Sequence, residues 1–547
     1  MLSRHVNPDD MVSHLREVTP GLSHPGSRPS RHSTPYSSAY TSIDAFPTWR
    51  VPDEGAPSDT VYQLIHDEVN LDGKPDLNLA SFVTTWMEPN AKQLMDENVN
   101  KNLADADEYP ALIRVHEKCI TILGNLWGTG PNEKAVGSAT TGSSEAIHLG
   151  GLAMKRRWQE KMRAAGKSTE KPNIIMGADA QVALEKFANY FDVEARILPV
   201  SKKSHYRLDP ELVKENIDEN TIGVLVILGS TYTGHYEPVE EISKILDEYQ
   251  YKTGIDIPIH VDAASGGFIA PFADAGAGVG KKWNFELPRV VSINTSGHKF
   301  GLVYVGLGWV VWRDESYLPE SLVFELGYLG GTEKSFTLNF SRPGAHVLLQ
   351  YYNFIHLGHN GYREVMENCL RNARLLSRAL EGTGWYTVVS EIHRPLEGSK
   401  EKVKAGIAAG TTSKAVGDDE ITSADFEAGL PVVAFRFSDQ FKKEFPHVKQ
   451  EAVSQLMRAR EWIIPNYSLP RHEDKTEILR VVVRENMSFD LLEKLVGDVC
   501  SVTEGLIESA DLDLSKLVVK AWGRGRRKGK AKGKGHADEA DTHRGVC

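Results

Sequence analysis

Lys299 stands in the stretch SGHKFG, preceded by His298 and enclosed by Gly297 and Gly301, shortly after the apolar run RVVSI (289–293). An amine placed just beyond a buried strand can attack a carbonyl carbon, a setting that a surface lysine does not need. Asp262 occupies a matching place in HVDAASGGF, where small residues after it let a flat molecule approach the backbone. In SATTGSSEAIHLGG, Gly142, Ser143 and Ser144 open a helical pattern, and the free amides and hydroxyls of a helix start can hold an anion. Taken singly, each has a plainer reading: a solvated loop lysine, a turn or cap carboxylate, an ordinary helix start. Taken together, they supply an amine, a carboxylate and an anion cradle.

Elements that could position these groups are visible as short apolar runs alternating with helical segments. The runs are NIIMGA (173–178), ARILPV (195–200), IGVLVILGS (222–230), DIPIHVDAA (256–264), RVVSI (289–293) and VGLGWVVW (305–312). Their rhythm predicts an α/β domain with a mostly parallel sheet. Ligands of such sheets sit beyond the carboxyl ends of the strands, where Asp262 and Lys299 both fall. A lysine for an aldehyde, an acid for a ring nitrogen and donors for a phosphate are what pyridoxal 5'-phosphate asks of a protein. Next to such a lysine, His298 reads as a phosphate donor or a proton-transfer group.

Composition bounds the rest. A chain of 547 residues with 41% hydrophobic content is an ordinary globular protein of two or more domains. Its net charge of −11 disfavours nucleic acid as a partner. Four scattered cysteines without C-x-x-C spacing disfavour a disulfide framework or a zinc site. No stretch approaches the ~18 apolar residues of a membrane span, and the expected location is the cytoplasm. Residues 1–45 read as a disordered arm rich in Pro, Ser, His and Arg, followed by a segment at 46–105. A large domain is expected over 106–360 and a smaller α+β C-terminal domain over 361–515, with a flexible Gly-rich insertion at 397–425. A basic low-complexity tail occupies 516–547.

The motifs TTGSSEA, TYTGHYE, IHVDAASGGF, SGHKFGLVYVG, YLGG and NFSRPG, spread between about Leu79 and Asp490, resemble the pyridoxal-phosphate-dependent decarboxylases of the type I aminotransferase-like fold, and within them the glutamate decarboxylases. The resemblance implies that L-glutamate loses its α-carboxylate as CO2 to leave 4-aminobutanoate. Lys299 would bind the cofactor's aldehyde, Asp262 would pair with its ring nitrogen, and Ala264 and Gln181 would cover the two ring faces. Ser143, Ser144, Ser296 and His298 would hold the phosphate, with Ser341 reaching in from a neighbouring subunit. Thr231 would lie near the cofactor's 3-hydroxyl and the substrate. Arg480 would grip the α-carboxylate, and Ser81, Phe82, Asn102 and Asp105 the distal one. A mobile loop around Tyr328 would take part in the protonation step. The resemblance also implies a homo-oligomer, dimer or hexamer, with segment 46–105 contributing to substrate site and subunit contacts.

Three other readings compete. GAGVGKKW (276–283) fails the spacing of a phosphate loop. Another decarboxylase or lyase of the same fold is the nearer alternative, and the polar NKNLAD stretch argues against a pocket for an apolar side chain. A calmodulin-binding tail is the rival of a different class. Five glycines interrupt AWGRGRRKGKAKGKG, each costing about 1 kcal/mol of helix stability relative to alanine, so a solvated tail is expected instead.

Overall fold

The computed structural model describes residues 50–51, 55–328, 331–408 and 421–509. The expected N-terminal arm at 1–45, the basic tail with its calmodulin question, and residues 409–420 of the expected insertion lie outside the described residues. The chain divides into two compact units, Met1–Lys74 and Pro75–Cys547. The first contains the helix Ser58–Val69, whose side chains include no buried residue. The division falls inside the expected segment 46–105, and the backbone at Leu79 is bonded within the second unit: Leu79 donates to Ile463 at 3.0 Å and accepts from Val482 at 2.9 Å.

The second unit is α/β. Its main sheet has seven strands: β1 (Val136–Thr140), β2 (Asn173–Gly177), β3 (Glu194–Leu198), β4 (Thr221–Ile227), β5 (Ile259–Asp262), β6 (Val290–Thr295) and β7 (Gly308–Trp312), in the order β1-β7-β6-β5-β4-β2-β3. The pairings among β3, β2, β4, β5 and β6 are parallel, whereas β7 runs antiparallel to both β6 and β1. Strands β2, β4, β5, β6 and β7 are buried along their whole length, as a sheet covered on both faces requires. All six apolar runs of the sequence become strands. The seventh, β1, is VGSAT and carries too little apolar surface to signal itself. Its glycine answers to a backbone approach, since a Cβ on Gly137 would stand 2.2 Å from the Val310 carbonyl oxygen.

A second sheet, in the order β10-β11-β13-β12, is antiparallel and comprises β10 (Tyr386–Val388), β11 (Val432–Phe437), β12 (Asn466–Ser468) and β13 (Glu477–Val482). The helix Ala345–Gly382 joins the two regions and breaks once, at Gly358, with φ 60° and ψ −172°. Its Tyr362, Met366 and Leu370 still pack in the core of the large sheet, and only Ala373, Leu376 and Leu380 enter that of the small one. The change of core therefore comes about three turns past residue 361. The insertion is also more regular than its composition suggests. Lys400–Ala408 is helical, Val403 is buried, and a capping box at Thr422 and Asp425 closes the far side. Around Tyr328 the expected loop is a hairpin of β8 (Phe324–Tyr328) and β9 (Gly331–Ser335), with Tyr328 paired to Gly331.

Candidate active site

The site forms where β5 and β6 end side by side. Asp262 is the last residue of β5 and lies opposite Asn294 of β6. Beyond the sheet the two chains stay laced, Ala263 donating to the Asn294 carbonyl at 3.0 Å and Ser296 to that of Ala264 at 3.0 Å. This lacing sets Ala264 beside Ser296 and carries the loop on to His298 and Lys299. Ser296 Oγ and Ser143 Oγ are 2.7 Å apart, so the β6 loop meets the start of the helix Ser143–Ala164. Ser144 occupies the same first turn, whose amides are the free donors of a helix start.

The loop that carries Lys299 is held through its backbone. His298 N–H donates to Leu307 O at 3.2 Å, and Val303 N–H to Gly297 O at 3.2 Å. Thr84 adds its amide to His298 O at 3.1 Å and its hydroxyl to Lys299 O at 2.6 Å. Lys299 Nζ lies 3.4 Å from Ser265 Oγ and 5.3 Å from the centre of the Phe82 ring. The imidazole of His298 accepts from the amides of Gly306 and Leu307 at Nδ1, 3.4 and 3.2 Å away. Accepting there requires a lone pair, so the neutral ring carries its proton on Nε2. Burial, helped by the neighbouring Lys299 ammonium, pushes the His298 pKa down to about 4.

Arg480 comes from β13 and is almost wholly buried. Its Nη1 donates to Thr231 O at 2.7 Å, Nη2 donates to Ala80 O, and its Cζ lies 5.0 Å from the Phe82 ring and 5.8 Å from that of Tyr467. Phe82 therefore offers one aromatic wall to both the Lys299 amine and the Arg480 guanidinium. Ser81 shapes the turn into that ring by accepting the Val83 amide at 3.1 Å.

The remaining candidates are held by contacts of their own. Asn102 Nδ2 donates to Asp105 at 3.1 Å and to Ser341 Oγ at 3.4 Å, while Asn102 Oδ1 accepts the Arg342 amide at 3.0 Å. Asn102 and Asp105 are thus held to the NFSRP segment and not to Ser81 or Phe82 of the same chain. Gln181 spends its side-chain oxygen on capping the helix Val182–Tyr190, accepting from Ala183 at 2.6 Å. Tyr328 contributes the end of β8 as described above.

Several working residues were not singled out in the sequence. Ser265 lies within HVDAASGGF and Thr84 within LASFVTTW (79–86), but nothing in their spacing marks them. Glu145 accepts from Thr141 N and from Asn339 N at 2.9 and 3.1 Å, joining the GSSEA turn to NFSRP. Asn294 did carry a signal: with Ser292 it places polar residues at period two inside a strand that is buried on both faces.

The buried imidazoles imply an acid response. Burial lowers His235 and His298 to about 4 and His116 to about 3, against 6.5 for a free histidine. Between pH 6.5 and about 4 the unfolded chain binds protons that the folded chain refuses, so these groups subtract stability as the pH falls through that window. The Tm of His298→Gln is expected to fall less between pH 7 and 4.5 than that of the unaltered chain. Parallel falls in the two would refute a neutral buried His298.

The residues present fit a phosphorylated pyridine aldehyde: a buried carboxylate, a lysine on an adjoining loop, and paired hydroxyls at a helix start. The pyridoxal-dependent decarboxylase conserved domain matches residues 52–397. The chain is 50% identical over 476 residues to a glutamate decarboxylase of Saccharomyces cerevisiae, covering 84% of this chain and 80% of the relative. It is 44% identical over 479 residues to one of Petunia hybrida, covering 87% and 86%. Among solved structures, a Lactobacillus brevis glutamate decarboxylase superposes with a TM-score of 0.76 at 33% identity, over 86% of this chain and 98% of that one. With site geometry, domain match and relatives in agreement, the chain belongs to the pyridoxal-dependent decarboxylase family.

Proposed function

We propose that the chain converts L-glutamate to 4-aminobutanoate and CO2 with pyridoxal 5'-phosphate as cofactor. The observation that carries this reading is the Phe82 ring lying 5.3 Å from Lys299 Nζ and 5.0 Å from Arg480 Cζ. An amine that exchanges with the substrate's own and a planar donor fork for its α-carboxylate share one wall. When bound, the cofactor supplies an electron sink for the pair left as the Cα–carboxylate bond breaks. Asp262 would pair with the ring nitrogen, where an adjacent carboxylate favours the protonated form. Ser143, Ser144, Ser296 and His298 donate to the phosphate, and a neutral Nε2–H suits His298 to donation better than to acid catalysis. Lys299 Nζ moves the proton at Cα, and the segment around Tyr328 takes part in that step in this scheme. Ala264 and Gln181 would cover the ring, and Thr231 would lie by its 3-hydroxyl.

Substrate choice needs a second chain. Asn102 binds both Asp105 and Ser341, and in this reading the set serves a neighbouring subunit, where it would meet Ser81 and Phe82 around the distal carboxylate. The assembly is a homo-oligomer located in the cytoplasm. Among the described residues no helix is long and apolar enough to cross a membrane.

The test is CO2 release from glutamate against tyrosine and tryptophan, with glutamate expected to be strongly preferred. Faster release from an aromatic substrate would overturn the assignment. In the same assay, Lys299→Ala and Asn102→Ala chains are each expected to be severely impaired. Mixed as randomly exchanging dimers, they should recover up to about a quarter of full turnover. No recovery after demonstrated exchange would return Asn102 to its own chain's site.

A further inference from the structure

We propose that His260 and Asn294 form a one-directional hydrogen-bond relay that aims Asp262, making both of them positioning residues for the cofactor's ring nitrogen. The proposal rests on the reading of Asp262 given above and adds what holds that carboxylate in place. Residues two apart on a strand share a face, so β5 presents His260 and Asp262 together. The register of β6 sets Ser292 opposite His260 and Asn294 opposite Asp262. His260, Ser292 and Asn294 have no solvent exposure, and Asp262 has 4%.

The direction of the relay follows from which atoms can donate. A carboxylate only accepts, and Asn294 Nδ2 donates to Asp262 Oδ1 at 2.9 Å. That bond turns Asn294 Oδ1 toward His260 Nε2, which lies 2.7 Å away. An amide oxygen also only accepts, so Nε2 must carry the imidazole proton. Nδ1 is then a lone pair, and it takes the hydroxyl proton of Ser292 at 2.7 Å. Every donor in the line Ser292, His260, Asn294 points toward Asp262. Burial lowers the His260 pKa, consistent with a neutral ring.

Two further observations show a space prepared for this ring. A Cβ on Gly150, inside the helix Ser143–Ala164, would stand 2.5 Å from His260 Cε1 and Nδ1, so only glycine admits the imidazole there. The Ala264 amide adds a second donor to the same Asp262 oxygen at 3.1 Å. Both bonds fall on Oδ1, which leaves Oδ2 for the ring nitrogen. Two donors on one oxygen fix the plane of the carboxylate.

Two histidine replacements separate this relay from mere packing. His260→Gln keeps an N–H near the Nε2 position, whereas His260→Asn keeps polar atoms only near Nδ1. Affinity of the cofactor-free chain for pyridoxal 5'-phosphate, read by fluorescence titration, is expected to stay within roughly threefold for H260Q and to weaken at least about tenfold for H260N and Asn294→Leu. In the loaded enzyme, kcat should fall with affinity while KM for substrate changes little. Equal affinities for H260Q and H260N, or a tighter H260N, would overturn the relay. Asn294→Asp puts a second carboxylate against Asp262, and its cofactor affinity should recover as the pH is lowered. A flat pH profile for N294D would also overturn the relay, and this arm stands even if the histidine variants fail to fold. Asp262→Asn separates the two readings. If D262N binds cofactor and turns over normally, the reading of Asp262 fails; if D262N is impaired while H260Q and H260N match, the relay alone fails.

Discussion

Lys299→Ala is expected to abolish the visible absorbance of the bound cofactor and to reduce turnover of glutamate by at least about a thousandfold. The side chain is the only part of Lys299 at stake. Its loop is framed by backbone bonds from Thr84, Leu307 and Val303, none of which involves Nζ. The variant should therefore keep its fold, with a Tm close to that of the cofactor-free parent chain. Added small amines should not restore full activity, because the proposed mechanism gives Nζ a second task in delivering the proton at Cα. Turnover retained in the variant would sink the assignment of the amine and the mechanism built on it.

Arg480→Lys is expected to raise KM for glutamate about a hundredfold, with a smaller fall in kcat, although charge is conserved. A guanidinium donates in a plane to several acceptors at once, whereas an ammonium is a compact point charge. Arg480 uses that plane three ways. It donates to Thr231 O and Ala80 O and stacks by Phe82 and Tyr467, while its Nε, buried without a protein partner, is left for a ligand. Lysine cannot satisfy two carbonyls and a carboxylate from one nitrogen in that geometry, and its burial is more costly. Because the two carbonyls belong to segments far apart in sequence, a lower Tm should accompany the kinetic loss. Saturating glutamate should recover much of the rate but not the Tm. An unchanged KM would remove Arg480 from the substrate site and leave it a purely structural clamp between Ala80 and Thr231.

Arg480 also shows why parts of the site are legible in sequence and others are not. ILRVVV announces a buried strand, and a lone arginine inside it is conspicuous. The strand alone says nothing of Ala80, Phe82 or Thr231, which reach it only through folding. Thr84 is the opposite case: a threonine among others in LASFVTTW, unmarked until its amide and hydroxyl are found on His298 and Lys299. The β1 strand was hidden because a strand of small residues that leans on its neighbour's backbone has no hydrophobic period to detect. The helical piece Lys400–Ala408 was hidden because its polar composition resembles a linker, while one buried valine and the Lys402–Asp425 ion pair hold it.

Local chemistry and local order were therefore determined by the sequence itself. Apolar runs must be buried, so six strands declared themselves, and residues at their carboxyl ends, Asp262 and Lys299 among them, had to emerge on one side of the sheet. The helix start at Ser143 was equally local, since its free donors belong to the turn itself. What only the tertiary structure decided was partnership. The register of β5 on β6 chose which polar side chain faces which, and so gave the imidazole of His260 its tautomer. The packing of residues 75–85 against β13 and the Lys299 loop put one phenyl ring beside two cations. The tie between Asn102 and Ser341 joined residues 239 positions apart into one cluster. Hydrogen bonds between residues hundreds of positions apart have no local signature, because their energy is realised only after the chain has closed the loops between them.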